Sequence, residues 1–142
     1  MLLTDSYGNF KVFMLEHGSF SMEINERTLV IRCYGAWNIQ TVMRMCKEYK
    51  EYASSISDNS WACLVDFTQW ELSTPEMWEH IDELNEWGNV NNQKFEAVVC
   101  SLSIQKHLME VSHEVLTNVE ARFYENLTQA YKWLESLGVY KI

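Results

Sequence analysis

Apolar and polar positions along this chain follow two rhythms, and the points where the rhythm changes divide it into elements. Phe20 to Ile24 alternates at period two and Asn25-Glu26-Arg27 interrupts it. Thr28-Leu29-Val30-Ile31-Arg32-Cys33-Tyr34 then forms a strong β run that Gly35 ends. Two such runs across a short polar link predict an antiparallel hairpin. From Asn38 the period turns helical. Ile39, Val42, Met43, Cys46, Tyr49 and Ala53 make one stripe, opposite Arg44, Lys47, Glu48, Lys50 and Glu51. Asn38 is placed to cap this helix and Trp37 to pack on Val42 as a hydrophobic staple. Ser54 to Ser60 reads as a polar loop.

Trp61-Ala62-Cys63-Leu64-Val65-Asp66-Phe67 is an unbroken apolar run ending in an acid and a ring. Such a run predicts a strand buried on both faces, as in a parallel sheet. A loop over 67–74 should follow. Ser73 and Glu76 match a capping box, and Pro75 suits the first turn of a second helix reaching about Trp87. Met77, Ile81 and Leu84 are its buried stripe, and Gly88 is placed to end it. Phe95 to Ser101 is a fourth strand. Ile104, Leu108, Val111, Val115 and Val119 mark the buried stripe of a third helix. Arg122 to Glu125 is a fifth strand. Asn126, with Gln129 three residues on, caps a last helix whose buried face is Leu127, Ala130, Tyr131, Leu134 and Leu137, and Gly138 stops it.

The order is β-β-α-β-α-β-α-β-α, an α/β fold with a mixed, mostly parallel five-stranded sheet. Right-handed crossovers between sequential strands put the helices mainly on one face. The other face then needs a cover, from the N-terminal segment or a second subunit. Phe10, Val12, Phe13 and Met14 precede the break at Gly18 and suit an extra strand or packing arm. The organisation expected is an arm over 1–18 and one domain over 19–142.

Composition narrows the function. The chain has 142 residues, 47% of them apolar, enough for one domain with its own core. No apolar run approaches the roughly 20 residues of a membrane span. The N-terminus lacks the basic start and apolar stretch of a signal peptide. The formal charge of −9 repels nucleic acid and anionic lipid and makes a basic protein the sharper choice of partner. Cys33, Cys46, Cys63 and Cys100 form no Cys-x-x-Cys pair. They read as buried thiols of a reducing cytoplasm rather than as metal ligands, redox groups or a Cys63–Cys100 disulfide.

Candidate chemistry is sparse. No glycine-rich phosphate loop, Gly-x-Ser-x-Gly or His-Glu-x-x-His occurs, so no catalytic, metal or cofactor site is expected. His107, Glu110, His113 and Glu114 have the wrong spacing to converge on a metal and read as a solvated helix face. His80 reads as a surface residue paired with Glu76 or Glu83. Asp66, at a strand end, suits accepting hydrogen bonds from the chain that follows. Trp70, Trp78 and Trp87 cluster in and beside the second helix, where tryptophans serve as binding anchors or as boundary packing.

The element order, Leu64-Val65-Asp66-Phe67 before a loop and helix, and the terminal run Arg122 to Leu134 resemble the STAS-like fold of the SpoIIAA anti-sigma-factor antagonists. The likeness spans residues 19–140 and is greater to the bacterial SpoIIAA-like group than to true antagonists. In the antagonists a serine near the start of the helix after the third strand takes phosphate and switches partner binding. The resemblance implies Ser73 or Thr74 as the equivalent phosphoacceptor, although the Asp-Ser-Ser-Gly pattern around that serine is absent here. It implies a cytoplasmic interaction domain without catalysis. Asp66, Thr68, Trp70, Ser73, Thr74 and Trp78 would form its binding surface, and the partner would be a protein or a second copy. The alternative is a carrier or sensor of a small hydrophobic ligand, its pocket lined by some of the seven methionines and the aromatics.

Overall fold

The computed structural model describes residues 15–71 and 75–142 fully, and 2–4 and 10–12 as backbone. Leu2–Thr4 (β1) and Phe10–Val12 (β2) pair antiparallel in a small sheet of their own. Phe13 and Met14, read as part of an extra strand or arm, lie outside the described residues.

The main sheet has five strands: Ser19–Asn25 (β3), Thr28–Ala36 (β4), Trp61–Glu71 (β5), Gln93–Val99 (β6) and Glu120–Tyr124 (β7). Their spatial order is their chain order. β3 and β4 form the expected hairpin, Asn25 facing Thr28 across the Glu26-Arg27 turn. β4, β5, β6 and β7 run parallel. Glu26 takes a φ of 54°, which lets a two-residue turn match the twist of the strands.

Helices Ile39–Ser54 (α1), Met77–Val90 (α2) and Ser103–Ser112 (α3) lie on one face. Their core holds Leu29, Ile31, Cys33, Cys63, Val65 and Val98 from the strands, with Val42, Met45, Tyr49, Met77, Leu84 and Met109 from the helices. The alternate strand residues Val30, Ala62, Leu64, Ala97 and Val99 point the other way. They are covered by Leu127–Ser136 (α4), through Ala130, Trp133 and Leu134. The cover of the second face is therefore the chain's own last helix. α4 follows the final strand, so no crossover rule ties it to the face of the other three.

Four expectations shift. β5 runs on to Glu71, so Thr68, Gln69 and Trp70 are strand residues and not a loop, Gln69 and Trp70 pairing with Tyr34 and Gly35 of β4. Gly88 lies inside α2 instead of ending it. A Cβ there would stand 2.2 Å from Gln93 Oε1, so the glycine makes room for a buried glutamine. Met43 in α1 is exposed, and Thr41 and Met45 take buried positions beside Val42. Thr41 can do so because its hydroxyl donates to His17 O and Asn38 Oδ1. α3 is rotated: Gln105, Met109 and Ser112 are buried, whereas Ile104 and Val111 of the expected core stripe are exposed. The caps on Asn38 and Asn126 form as read, each side chain accepting from the backbone N–H three residues on.

Candidate functional site

The candidate surface lies where β5 leaves the sheet and α2 and α3 flank it. Asp66 is buried near the end of the apolar run, and its Oδ1 accepts from Thr68 N at 2.9 Å and Thr68 Oγ1 at 2.6 Å. It orients the chain that follows, as its position suggested. Thr68 itself is exposed. Trp70 is only 3% exposed and sits inside, not at a rim. Phe67 stacks on it at 4.4 Å, and Trp37 and Trp78 meet it edge-on at 6.0 and 6.4 Å. Alternation sends Trp61, Cys63, Val65 and Phe67 to the helix side, and a register shift between the pairs Arg32–Asp66 and Tyr34–Gln69 gives β5 one extra residue, which returns Trp70 to that side after two exposed polar residues. Trp70 Nε1 has no partner among the described residues. Trp78, half-buried, carries the cluster outward to the surface. Ser73 and Thr74 lie outside the described residues. Glu76 stands at the N-cap of α2 with no side-chain capping bond, and the Ser73 half of the expected box lies outside the described residues.

Beneath this surface a narrow cavity of about 40 Å³ separates the sheet from α2. Met45, Met77, Met109, Trp37 and Phe67 line it, with Asn85 and the Glu96 carboxylate as polar groups. Glu96 is the least expected residue of the core. It occupies a helix-facing position of β6, 2% exposed, and pairs through Oε2 with His113 Nε2. Gln93 Nε2 donates to its other oxygen at 3.3 Å. The His113 ring lies 5.5 Å from Phe123. Burial pulls the His113 pKa down, but Glu96, with Glu110 beyond it, outweighs this and leaves the pKa above its ordinary value. His113 is thus not on a solvated face as its sequence context suggested. α3 ends there and a 3-10 turn, His113–Val115, folds the ring inward.

A second polar group ties α3 to α2. Ser112 Oγ donates to Asp82 Oδ1 at 2.8 Å, and Asn85 Nδ2 donates to Ser112 Oγ and O at 3.0 and 3.2 Å. At the other end of α3, Gln105 Nε2 donates to Trp70 O at 2.8 Å. Sequence reading missed Asn85, Glu96, Gln105, Ser112 and His113. One signal was available: Glu96 is the lone polar residue in the apolar run Phe95 to Cys100.

Burial raises the pKa of all four thiols. Burial pushes Cys33 and Cys63 well up, and takes Cys46 to about 11. Among the described residues, no three His, Cys, Asp or Glu side chains converge as metal ligands. No described helix is long and apolar enough to cross a membrane.

No family model matches the sequence, and no curated protein does. Solved structures do match. An uncharacterised DUF3478-family protein from Shewanella loihica with a SpoIIAA-like fold aligns over 87% of this chain and 98% of its own, with a TM-score of 0.65 and 17% identity. The anti-sigma factor antagonist SpoIIAA in its unphosphorylated form aligns over 84% and 98%, at 0.59 and 9%. An anti-sigma factor antagonist from Mycobacterium paratuberculosis aligns over 84% and 95%, at 0.57 and 11%. The alignments run over nearly the whole of each of these chains: the protein has the STAS/SpoIIAA-like fold.

Proposed function

We propose that this protein is a non-catalytic interaction domain that binds a protein partner through α2 and the chain that leads into it. The observation that carries this reading is Trp78. It is half-buried, anchored from below by Trp70, and reaches a surface where α2 adds Glu79, Glu83 and Glu86. An anchored aromatic in a polar surround is the composition of an interface hot spot. Thr68 is exposed in the strand that leads toward α2, and Ser73 and Thr74 precede α2 in sequence. The solved antagonists of this fold add support by analogy of fold alone.

The test is native mass spectrometry and cross-linking of protein purified gently from its own host. A stoichiometric protein partner cross-linked at α2, and lost from a Glu79→Lys/Glu83→Lys variant, supports the reading. The same spectra read phosphate at Ser73 or Thr74. A homodimer held through α2 makes the partner a second copy.

One observation favours a second reading, a small hydrophobic ligand. The cavity under α2 has three methionines and a buried carboxylate on its walls. Its 40 Å³ holds water-sized guests, whereas about 150 Å³ is needed for a benzene-sized one. A ligand therefore requires α2 or α3 to move. A lipid-sized adduct lost on denaturation, without any protein partner, selects this reading over the first.

A further inference from the structure

α3 carries its polarity in reverse. Its inward positions hold Gln105 and Ser112, with Met109 between them, and His113 follows at its end. Each of the three polar side chains is committed: Gln105 to Trp70 O, Ser112 to Asp82 and Asn85, His113 to Glu96. These bonds fix the rotation of the helix. The apolar residues are consequently turned out, with Leu102 at the N-cap 51% exposed, Ile104 47% and Val111 51%. Beside them a groove of about 380 Å³ runs between α2 and α3, lined by Trp78, Asp82, His107, Leu108, Val111 and Ser112. Scattered exposed apolar residues need no explanation, but Ile104, Leu108 and Val111 recur at i, i+4 and i+7 on one face of α3, two of them lining the groove, and such a stripe marks an interaction surface.

Charge selects the occupant. α2 carries Glu79, Asp82, Glu83 and Glu86 and no lysine or arginine. α3 carries Lys106 and Glu110, whose charged groups lie 3.9 Å apart. Asp82 lines the groove, and a helix with four acids and no lysine or arginine repels anionic lipid and nucleic acid and would meet its own charge in a two-fold pairing with a second copy. A groove between two helices accepts a third through apolar residues at i, i+3, i+4 and i+7. We propose that the α2–α3 groove docks a basic amphipathic helix of a partner protein, its apolar face on Leu108 and Val111 and its lysines or arginines on the α2 carboxylates. The inference rests on the protein-binding reading above and names the partner's chemistry.

The probe is a synthetic helical peptide of leucine and lysine at that spacing, with a twin in which glutamate replaces lysine. Binding to the full chain is measured by calorimetry. The lysine peptide should bind, more weakly as salt rises, and the glutamate twin should not. Ile104→Ser/Val111→Ser should weaken the lysine peptide roughly tenfold. These positions are exposed, so the variant should keep the circular-dichroism spectrum and melting midpoint of the parent. Equal binding by the double variant or by the twin overturns the proposal. So does stronger binding to phosphatidylglycerol vesicles than to the peptide, which would make the face a lipid surface. A concentration-dependent dimer lost in the double variant assigns the groove to a second copy instead. If the host partner stays bound to the double variant but leaves the Glu79→Lys/Glu83→Lys variant, the groove is wrong and the protein-binding reading stands. Absence of any host partner, with no peptide binding, removes both.

Discussion

At the residue scale the pair Glu96–His113 governs one region of the core. A carboxylate inside an apolar layer is costly unless it is paired and hydrogen-bonded, and here His113 and Gln93 supply both. Removing one partner strands the other. His113→Ala should therefore lower stability by about 3 kcal/mol, read from urea denaturation. Replacing both members with apolar residues, Glu96→Met/His113→Leu, should recover most of that loss. If the double replacement is as unstable as the single, packing and not charge explains the site. The pair also sets a pH dependence. Glu96 from β6, Glu110 from α3 and the Phe123 ring from β7 face His113; burial lowers its pKa, and the two carboxylates outweigh that and leave it above its ordinary value. A raised pKa in the fold means that the protonated ring is favoured there. The stabilisation is complete below pH 6.5 and fades as pH rises through the raised value. The urea midpoint of the parent should fall across that window, and that of Glu96→Met/His113→Leu, which lacks both titrating groups, should stay flat over the same range. Of the pair, only Glu96 left a trace in the sequence, as the acid inside an apolar run. His113 neighbours His107, Glu110 and Glu114 on the chain, and nothing local reveals that the helix stops and turns its ring inward.

At the scale of elements, period and caps were legible where burial alone decides the face, and illegible where hydrogen bonds do. α4 and the core strands follow apolar period closely. α3 does not, because Gln105, Ser112 and His113 each find a specific partner inside, and those bonds outweigh the outward turn of Ile104 and Val111. Thr41 in α1 makes the same point, its buried hydroxyl bonded to His17 and Asn38 while Met43 faces water. Asn38 does more than cap a helix. Its Oδ1 accepts from Thr41 N at 3.2 Å and His17 N at 3.3 Å, and its Nδ2 donates to Leu15 O at 2.6 Å. It ties the chain before β3 to the first turn of α1. Asn38→Ala should cost about 1–2 kcal/mol, at the upper end for a cap. Asn38→Asp keeps the acceptor but loses the donor to Leu15, so it should cost less than alanine. Hydrogen exchange should show Thr41 losing protection in the alanine variant and retaining it in the aspartate variant.

At the scale of the whole molecule, the sheet holds two cores that share their strands. β4, β5 and β6 send alternate residues to each side: Leu29, Cys63 and Val98 to the α1–α3 layer, Val30, Leu64 and Ala97 to α4. The strand order and the number of layers were readable from the chain, since unbroken apolar strands need cover on both faces. Which element gave the second cover was not, because a terminal helix carries no crossover constraint. Neither layer can lose its helices without exposing strands the other depends on, so the two should unfold as one unit. Leu134 is fully buried under the α4 side, and Leu134→Ala should remove about 2–5 kcal/mol. Cys33 and Cys63 lie in the opposite layer and report on it independently, because their buried thiols react with a disulfide reagent only on unfolding. The urea midpoint for thiol exposure should fall by the same amount as the midpoint followed by circular dichroism. Thiols that stay protected after α4 has melted would mean that the α1–α3 layer stands alone and that α4 is an appended cover.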